Sequence, residues 1–225
     1  MIPLLAIRPE PGASATVAAA RALGLEAEGF PLFSVRPVAW DLPDSGAFDL
    51  LLAGSANVFR HGGAGLAALR GLPIHAVGEA TAEAAREAGF AVAAAGSGGL
   101  QGVLDQVRAG ARVLRLAGAE RVTLSLPAGV SMTERTVYES LSAPMPAALV
   151  RRLEGAAVVL LHSAEAARHF AAECGRHGVV RARLHLACIG PRVAAAAGSG
   201  WASVSTAQEP LENALLAKAA ELCHT

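Results

Sequence analysis

Four strand-like runs of this 225-residue chain end in glycine or serine and lead into helix-forming segments, at Gly54-Ser55, Gly78, Ser163 and Gly190. Such an end places backbone N–H groups and the positive end of a helix dipole at the carboxyl edge of a sheet. Two edges of this kind that face each other would offer N–H and hydroxyl donors to a ligand with several negative charges. The alternative for each serine is an ordinary helix N-cap.

Arginine supplies the cations that could hold such a ligand. Arg8 follows the first predicted strand, and Arg192 lies in the first turn of a predicted helix. At either place a guanidinium could hold a carboxylate through two hydrogen bonds. Weaker candidates are Arg60, Arg121, Arg135 and Arg168. Lys218 is the lone lysine, and an arginine-dominated chain suits an anionic ligand, although genome composition produces the same bias.

Tyr138 is the single tyrosine and lies on a predicted extended segment, residues 135–140. A phenol is protonated at neutral pH, so it could donate a proton to a departing hydroxyl group. The alternative is a packing residue whose hydroxyl points to solvent.

An internal repeat indicates which elements position these residues. The first copy comprises residues 48–57 and 74–85, and the second comprises residues 157–165 and 186–197. Each copy predicts strand, serine-led helix, strand, glycine-led helix, strand and helix, a pattern typical of a parallel sheet covered by helices. Residues 3–33 predict a strand over 4–7, a helix over 13–23 and a strand over 25–33. These have no equivalent beside the first copy, and we expect them to pair with the second.

The predicted fold class is α/β, with two parallel-sheet α/β domains joined by a two-stranded β connector and a cleft between them. Residues 1–35 and 141–225 form the first, discontinuous domain. Residues 36–140 form the second domain, with β connectors at both ends.

Composition excludes several classes of protein and ligand. With 19 basic and 19 acidic side chains, the chain gives no electrostatic reason to expect nucleic acid or a membrane surface as partner. The seven histidines lack metal-binding spacing, and the three cysteines lack any CxxC pairing, so no metal site is expected. No dinucleotide or phosphate-loop fingerprint is present, and no stretch reaches the roughly 18 apolar residues of a membrane span. We expect a cytoplasmic monomer without a cofactor.

The chain resembles the uroporphyrinogen-III synthase family over nearly its full length. The resemblance rests on an ordered set of weak motifs: Arg8-Pro9-Glu10, Ser55-Ala56-Asn57, residues 77–82, Val137-Tyr138, Ser163, Ile189-Gly190-Pro191 and residues 207–215. It implies two α/β domains joined by two β connectors, with the first domain built from both chain ends.

The resemblance also implies an activity: conversion of the linear tetrapyrrole hydroxymethylbilane into uroporphyrinogen III, with inversion of ring D, loss of water and no cofactor or metal. Tyr138 would then be the assisting acid. The substrate's acetate and propionate groups would be held by Ser55, Thr81, Ser163 and the amides of Gly78 and Gly190. Asn57 and Pro191, from the same motifs, complete the predicted substrate-binding set with Arg8 and Arg192.

The chain departs from the family pattern at several positions. The Thr-Ser pair that is common after the corresponding strands is Gly54-Ser55 in the first copy and His162-Ser163 in the second, and Val193 stands where a hydroxyl residue is usual. Residues 122–127 alternate like a strand where the family usually has a helix. An enzyme is the main hypothesis. The alternatives are a non-catalytic tetrapyrrole-binding or sensory module of the same fold, and a hinged binding protein for a small anion.

Overall fold

The computed structural model describes residues 2–96 and 99–223. Met1, residues 97–98 and residues 224–225, which the predicted domains include, lie outside this part. The strands are β1 (Leu4–Ala6), β2 (Ala27–Gly29), β3 (Phe33–Pro37), β4 (Leu50–Ala53), β5 (Ile74–Val77), β6 (Val92–Gly96), β7 (Arg112–Gly118), β8 (Ser131–Ser142), β9 (Ala157–Leu161), β10 (Leu184–Cys188) and β11 (Ser203–Thr206). The helices are α1 (Gly12–Ala22), α2 (Asn57–His61), α3 (Glu79–Glu87), α4 (Gly99–Leu104), α5 (Ala147–Arg152), α6 (Ala164–Arg176), α7 (Pro191–Ala197) and α8 (Glu212–Cys223).

The chain divides into two compact units. Unit 1 comprises the described chain up to Ser34 and from Ser142 onward, and unit 2 comprises Val35–Leu141. Each unit contains its own sheet.

The sheet of unit 1 has the strand order β11-β10-β9-β1-β2, and all four neighbouring pairs are parallel. The N-terminal strand β1 lies beside β9, with Ala6 opposite Leu160. All five residues of β9 are buried, as its continuous apolar sequence predicts for a central strand covered on both faces.

Helices cover both faces of this sheet because adjacent strand residues point to opposite sides. Leu5 packs in the cluster that includes Phe170 of α6. Leu4 packs in the other cluster, which includes Leu215 of α8. Both leucines are fully buried, so the short strand β1 contributes to two cores at once.

The sheet of unit 2 has the order β3-β8-β7-β4-β5-β6, and the pairs from β8 to β6 are parallel. The order β6-β5-β4-β7 in unit 2 matches β11-β10-β9-β1 in unit 1. The repeated sequence therefore folds into the same arrangement twice. Strand β7 occupies in unit 2 the position that β1 occupies in unit 1.

Two secondary-structure predictions are wrong in extent or kind. The strand predicted over residues 25–33 is two separate strands, β2 and β3, because Pro31 between them has no N–H group for a ladder hydrogen bond. Residues 122–127 are not a strand. Strand β7, just before them, is already paired on both sides, by β4 and β8, so no free edge is offered there.

Candidate active site

The carboxyl edge of the unit 2 sheet contains a pocket of about 190 Å³. Its walls come from the ends of β4, β5 and β7, from β8, and from the segment that follows β7. Its lining residues include Gly54, Ser55, Val77, Leu100 and Tyr138. Because β8, β7, β4 and β5 are neighbouring parallel strands, their ends meet at this edge. The structure thus brings Tyr138 and Ser55, two residues predicted from sequence, to one pocket.

A register irregularity aims Tyr138 at this pocket. Between Ala117 and Gly118 the pairing of β7 with β8 shifts by one residue, so that Gly118 lies opposite Tyr138. Such bulges redirect side chains next to functional sites. A Cβ on Gly118 would lie 2.7 Å from Cε2 of the Tyr138 ring. Only glycine at position 118 therefore allows the ring to occupy this position. The phenol hydroxyl forms no hydrogen bond with any residue in the described ranges.

Ser55 closes the turn between β4 and α2. Its Oγ accepts a hydrogen bond from the Asn57 amide at 3.2 Å within this turn. Asn57 is the first residue of α2, which is only five residues long, and it is half-buried. The N-cap of α2 is Ala56, so the alternative that Ser55 is an ordinary N-cap is wrong, and the turn uses one lone pair of its hydroxyl.

Gly78 and Thr81 form the corresponding turn between β5 and α3. Gly78 has φ of 77°, a left-handed conformation that favours glycine, and its amide donates to the Gly96 carbonyl at 2.9 Å. Its N–H group is therefore already used within the protein, contrary to the expectation that it holds a substrate carboxylate. The first-turn amides of α3, from Glu79 and Ala80, have no partner within the helix and remain as donors at this end. Thr81 is buried at 5% exposure.

The carboxyl edge of the unit 1 sheet gathers the other predicted residues. Ser163 follows β9 and is the N-cap of α6, with its Oγ accepting from the Ala166 amide at 3.0 Å. Gly190 follows β10 and precedes the seven-residue helix α7, in which Pro191 and Arg192 are exposed. Since β9 and β10 are paired, these turns lie side by side. Arg192 forms no ion pair or hydrogen bond within the described residues, which leaves its guanidinium available to a ligand.

Val193 explains one departure from the family pattern. It is 6% exposed and packs in the cluster that contains Phe170. A side chain at this position of α7 points toward the core, so valine gains apolar burial that a hydroxyl residue would not.

Arg8 is committed to an internal ion pair. Its Nη1 lies 3.0 Å from Oε2 of Glu212 and 3.5 Å from Oγ1 of the buried Thr16. Thr16 donates to the other carboxylate oxygen, Oε1, at 2.5 Å, and Nε2 of His162 lies 3.0 Å from Oε2. We call Arg8, Thr16, His162 and Glu212 the Glu212 cluster. It joins α1 and α8 to the ends of β1 and β9.

The Glu212 cluster holds its carboxylate ionised. Burial alone raises the pKa of Glu212, but the hydrogen bond and charge of His162, the Thr16 hydroxyl and the Arg8 charge lower it to about 2. A carboxylate only accepts hydrogen bonds, so Nε2 of His162 must carry the hydrogen. Nδ1 of that ring is buried without a partner. The sequence-based prediction for Arg8 did not include the Glu212 carboxylate, which binds its guanidinium.

Sequence reasoning also missed a buried ion pair next to the unit 2 pocket. Arg115 on the central strand β7 is 3% exposed, and its Nη1 lies 2.6 Å from Oε1 of Glu134 on β8. The sequence did contain an indication of this pair, because Arg115 lies within the apolar run of β7, and an arginine that is buried requires a partner. The sequence alone does not give the register of β7 with β8, which places Glu134 next to Arg115.

The three cysteines lie in the cores rather than at either edge, and burial raises the pKa of their thiols, to about 12 for Cys174 and about 11 for Cys188. Among residues 2–96 and 99–223, no group of histidine, cysteine and acidic side chains could hold a metal ion. None of the helices in the same ranges is long and apolar enough to cross a membrane.

The chain is similar to known proteins in sequence and in fold. A family model described as uroporphyrinogen-III synthase HemD matches residues 14–217. The fold is similar to uroporphyrinogen-III synthetase from Helicobacter pylori, with a TM-score of 0.64 and 16% identity over 99% of this chain and 100% of that one. It is also similar to a mutant uroporphyrinogen III synthase from Thermus thermophilus, with a TM-score of 0.53 and 18% identity over 99% and 98% of the chains. At such identities these structures show a shared fold. A search of curated protein sequences finds no match.

Proposed function

This chain belongs to the uroporphyrinogen-III synthase family, and we propose that it cyclises hydroxymethylbilane to uroporphyrinogen III with Tyr138 as the assisting acid. The family comprises cyclising hydro-lyases of haem biosynthesis that act on a tetrapyrrole. In the proposed reaction the terminal hydroxyl takes up a proton and leaves as water, and the N–H of the same pyrrole gives up a proton, so that an azafulvene forms. The substituted α carbon of ring D attacks the exocyclic carbon of this azafulvene and gives a spiro intermediate. The older bond from this ring D carbon to the bridge with ring C then breaks and forms again at the other α carbon of ring D, which loses its proton, so that ring D is inverted.

The observation that carries the role of Tyr138 is its place in the unit 2 pocket with a hydroxyl that bonds to none of the described residues. A proton donor must reach the departing oxygen directly, and a phenol already tied to a protein acceptor would first have to break that bond. Since the substrate also cyclises without enzyme to the uninverted isomer, catalysis consists largely of holding one conformation while water departs.

Substrate carboxylates are proposed to bind at the carboxyl edges of the two sheets. In unit 2 the proposed contacts are Ser55, Asn57, Thr81 and the turn at Gly78, where the amides that follow Gly78 are the donors. In unit 1 they are Ser163, Gly190, Pro191 and Arg192, together with Arg8. The Glu212 carboxylate takes up Nη1 of Arg8, so this residue contributes to an anion site only through its remaining N–H groups.

We also propose that the two units are domains of one enzyme, joined by β3 and β8, and that substrate binds in a cleft between them. The enzyme is proposed to act as a cytoplasmic monomer without nucleic acid, membrane or cofactor. Support for the connection of the two units comes from the sequence pattern and from the strand bounds of β3 and β8, which lie at the limits of unit 2.

The test is to generate hydroxymethylbilane in the presence of the purified protein and to determine the ratio of type III to type I porphyrin after oxidation. We expect predominantly type III. A ratio equal to that of the protein-free control would contradict the proposal and favour the non-catalytic tetrapyrrole-binding module.

Tyr138→Phe separates acid assistance from positioning. We expect kcat to fall by about 100-fold or more, the usual contribution of general acid catalysis, while the affinity for product changes little. Unchanged kcat would leave the enzyme assignment intact and remove the acid role from Tyr138.

A further inference from the structure

We propose that Arg121 is a specificity-determining residue that binds one carboxylate of the substrate in the unit 2 pocket, beside Tyr138. This inference rests on the proposed function and assigns a subsite within it. Arg121 follows β7, lines the pocket together with Ser55 and Tyr138, and has a side chain that is 30% exposed.

The guanidinium of Arg121 is held in place by the protein. Its Nε donates to Oε2 of Glu134 at 3.1 Å, and its Nη1 donates to the Gly118 carbonyl at 3.1 Å and to Oγ1 of Thr136 at 2.8 Å. These bonds use three of the five N–H groups of the side chain. The two N–H groups of Nη2 have no partner among residues 2–96 and 99–223. A fixed guanidinium with two unused donors loses little conformational entropy when it binds a carboxylate.

The charge of Arg121 is not cancelled by Glu134, because that carboxylate is shared. Its other oxygen, Oε1, accepts from Nη1 of the buried Arg115 at 2.6 Å. The Nε of Arg115 is buried without a partner. Two guanidinium groups therefore face one carboxylate, and the group as a whole is positive. Glu120 also lines the pocket, but it is exposed and pairs with no described residue, so water screens its charge.

The rest of the pocket wall determines what kind of anion fits. The lining also includes five apolar side chains, those of Val58, Val77, Leu100, Leu116 and Val122. Its volume of about 190 Å³ is below the 300–1,000 Å³ of pockets that enclose whole drug-sized ligands. The pocket suits one apolar ring that carries a carboxylate side chain. A single substituted pyrrole of the bilane has this combination, so we infer that one pyrrole enters here with its acetate or propionate on Arg121.

The test compares Arg121→Gln with Arg70→Gln. Arg70 is a matched control because it is an exposed arginine of the same unit, donates to the backbone carbonyl of Ala88, and does not line the pocket. Loss of a charge-assisted hydrogen bond should raise the KM for hydroxymethylbilane about tenfold to hundredfold in Arg121→Gln, with kcat changed less than about threefold. Arg70→Gln should leave KM unchanged. Arg121→Lys, which keeps the charge but not the fork, should give an intermediate KM.

A second readout does not depend on turnover. A monopyrrole with one acetate and one propionate side chain is titrated into the wild-type protein and both glutamine variants, and binding is followed by ligand-observed NMR. We expect binding to wild type and Arg70→Gln, weaker binding to Arg121→Gln, and no binding of the dimethyl ester. Thermal unfolding of each variant verifies that it is folded.

The outcomes separate this subsite from the enzyme assignment. If the wild type forms type III product while both glutamine variants share its KM, the Arg121 subsite is refuted and the proposed function stands. Equal binding of the diacid and its ester would also refute the subsite. If the wild type forms no type III product, the proposed function fails, and the monopyrrole titration still decides whether Arg121 binds a carboxylate.

Discussion

Replacing Glu212 by glutamine removes the carboxylate shared by the members of the Glu212 cluster. The pKa of this carboxyl falls from 4.5 to about 2 in the folded protein. At about 1.4 kcal/mol per pKa unit, this difference corresponds to about 3 kcal/mol of stability. The side chain is 34% exposed, and screening by water reduces the contribution to about 2 kcal/mol. We therefore expect Glu212→Gln to destabilise unit 1 by about 2 kcal/mol near neutral pH.

The sign of the pH dependence follows from the lowered pKa. A carboxyl whose pKa is lower in the folded state stabilises the protein above the unfolded value of 4.5, and this stabilisation is lost as the pH falls toward 2. The difference in unfolding free energy between wild type and Glu212→Gln should therefore narrow by about 1 kcal/mol between about pH 6 and about pH 3.5.

The assay is urea unfolding followed by tryptophan fluorescence. Trp201 belongs to unit 1 and Trp40 to unit 2, so in a Trp40→Phe background the emission reports on unit 1 alone. Glu221→Gln is the control, since Glu221 lies on the same helix, is 64% exposed, and should change stability by less than about 0.5 kcal/mol. Equal stability of Glu212→Gln and wild type near pH 6 would refute the reasoning. A difference in unfolding free energy that does not decrease between about pH 6 and about pH 3.5 would also refute it.

Three further predictions concern the site and the cores. Gly118→Ala should lower kcat about tenfold to hundredfold, because the new Cβ would displace the Tyr138 ring. Gly71→Ala is the control: a Cβ at that position has no atom within 4 Å, so kcat should be unchanged in the same assay. Ser163→Ala should cost about 1 kcal/mol in urea unfolding, since the cap on the Ala166 amide is lost; unchanged stability would show that the cap contributes nothing. Burial raises the pKa of the thiols of Cys174, Cys188 and Cys223. These thiols should therefore resist a thiol-reactive disulfide reagent at about pH 8 in the folded protein and react fully in urea. Rapid reaction of the native protein would contradict their burial.

The sequence alone predicted most of the features that depend on local pattern. The repeat and the apolar strands predicted an α/β fold with parallel strands, because burial on both faces demands a continuous apolar run, as in β9. Serine and glycine at strand ends indicated where helices begin, and Ser163 is such a cap. Tyr138 was singled out as the single tyrosine on a predicted extended segment, and it lines the unit 2 pocket.

Tertiary structure decided which side chains pair with one another. Arg8 and Glu212 are separated by most of the chain, and only the packing of α8 against the sheet that contains β1 brings them together. The register of β7 with β8 places Glu134 opposite Arg115. A shift of one residue in that register would turn Glu134 to the other face of the sheet. Hydrophobic patterning fixes which residues are buried, because burial depends on residue type and period. Long-range partners depend on strand order and register, which a local pattern does not specify.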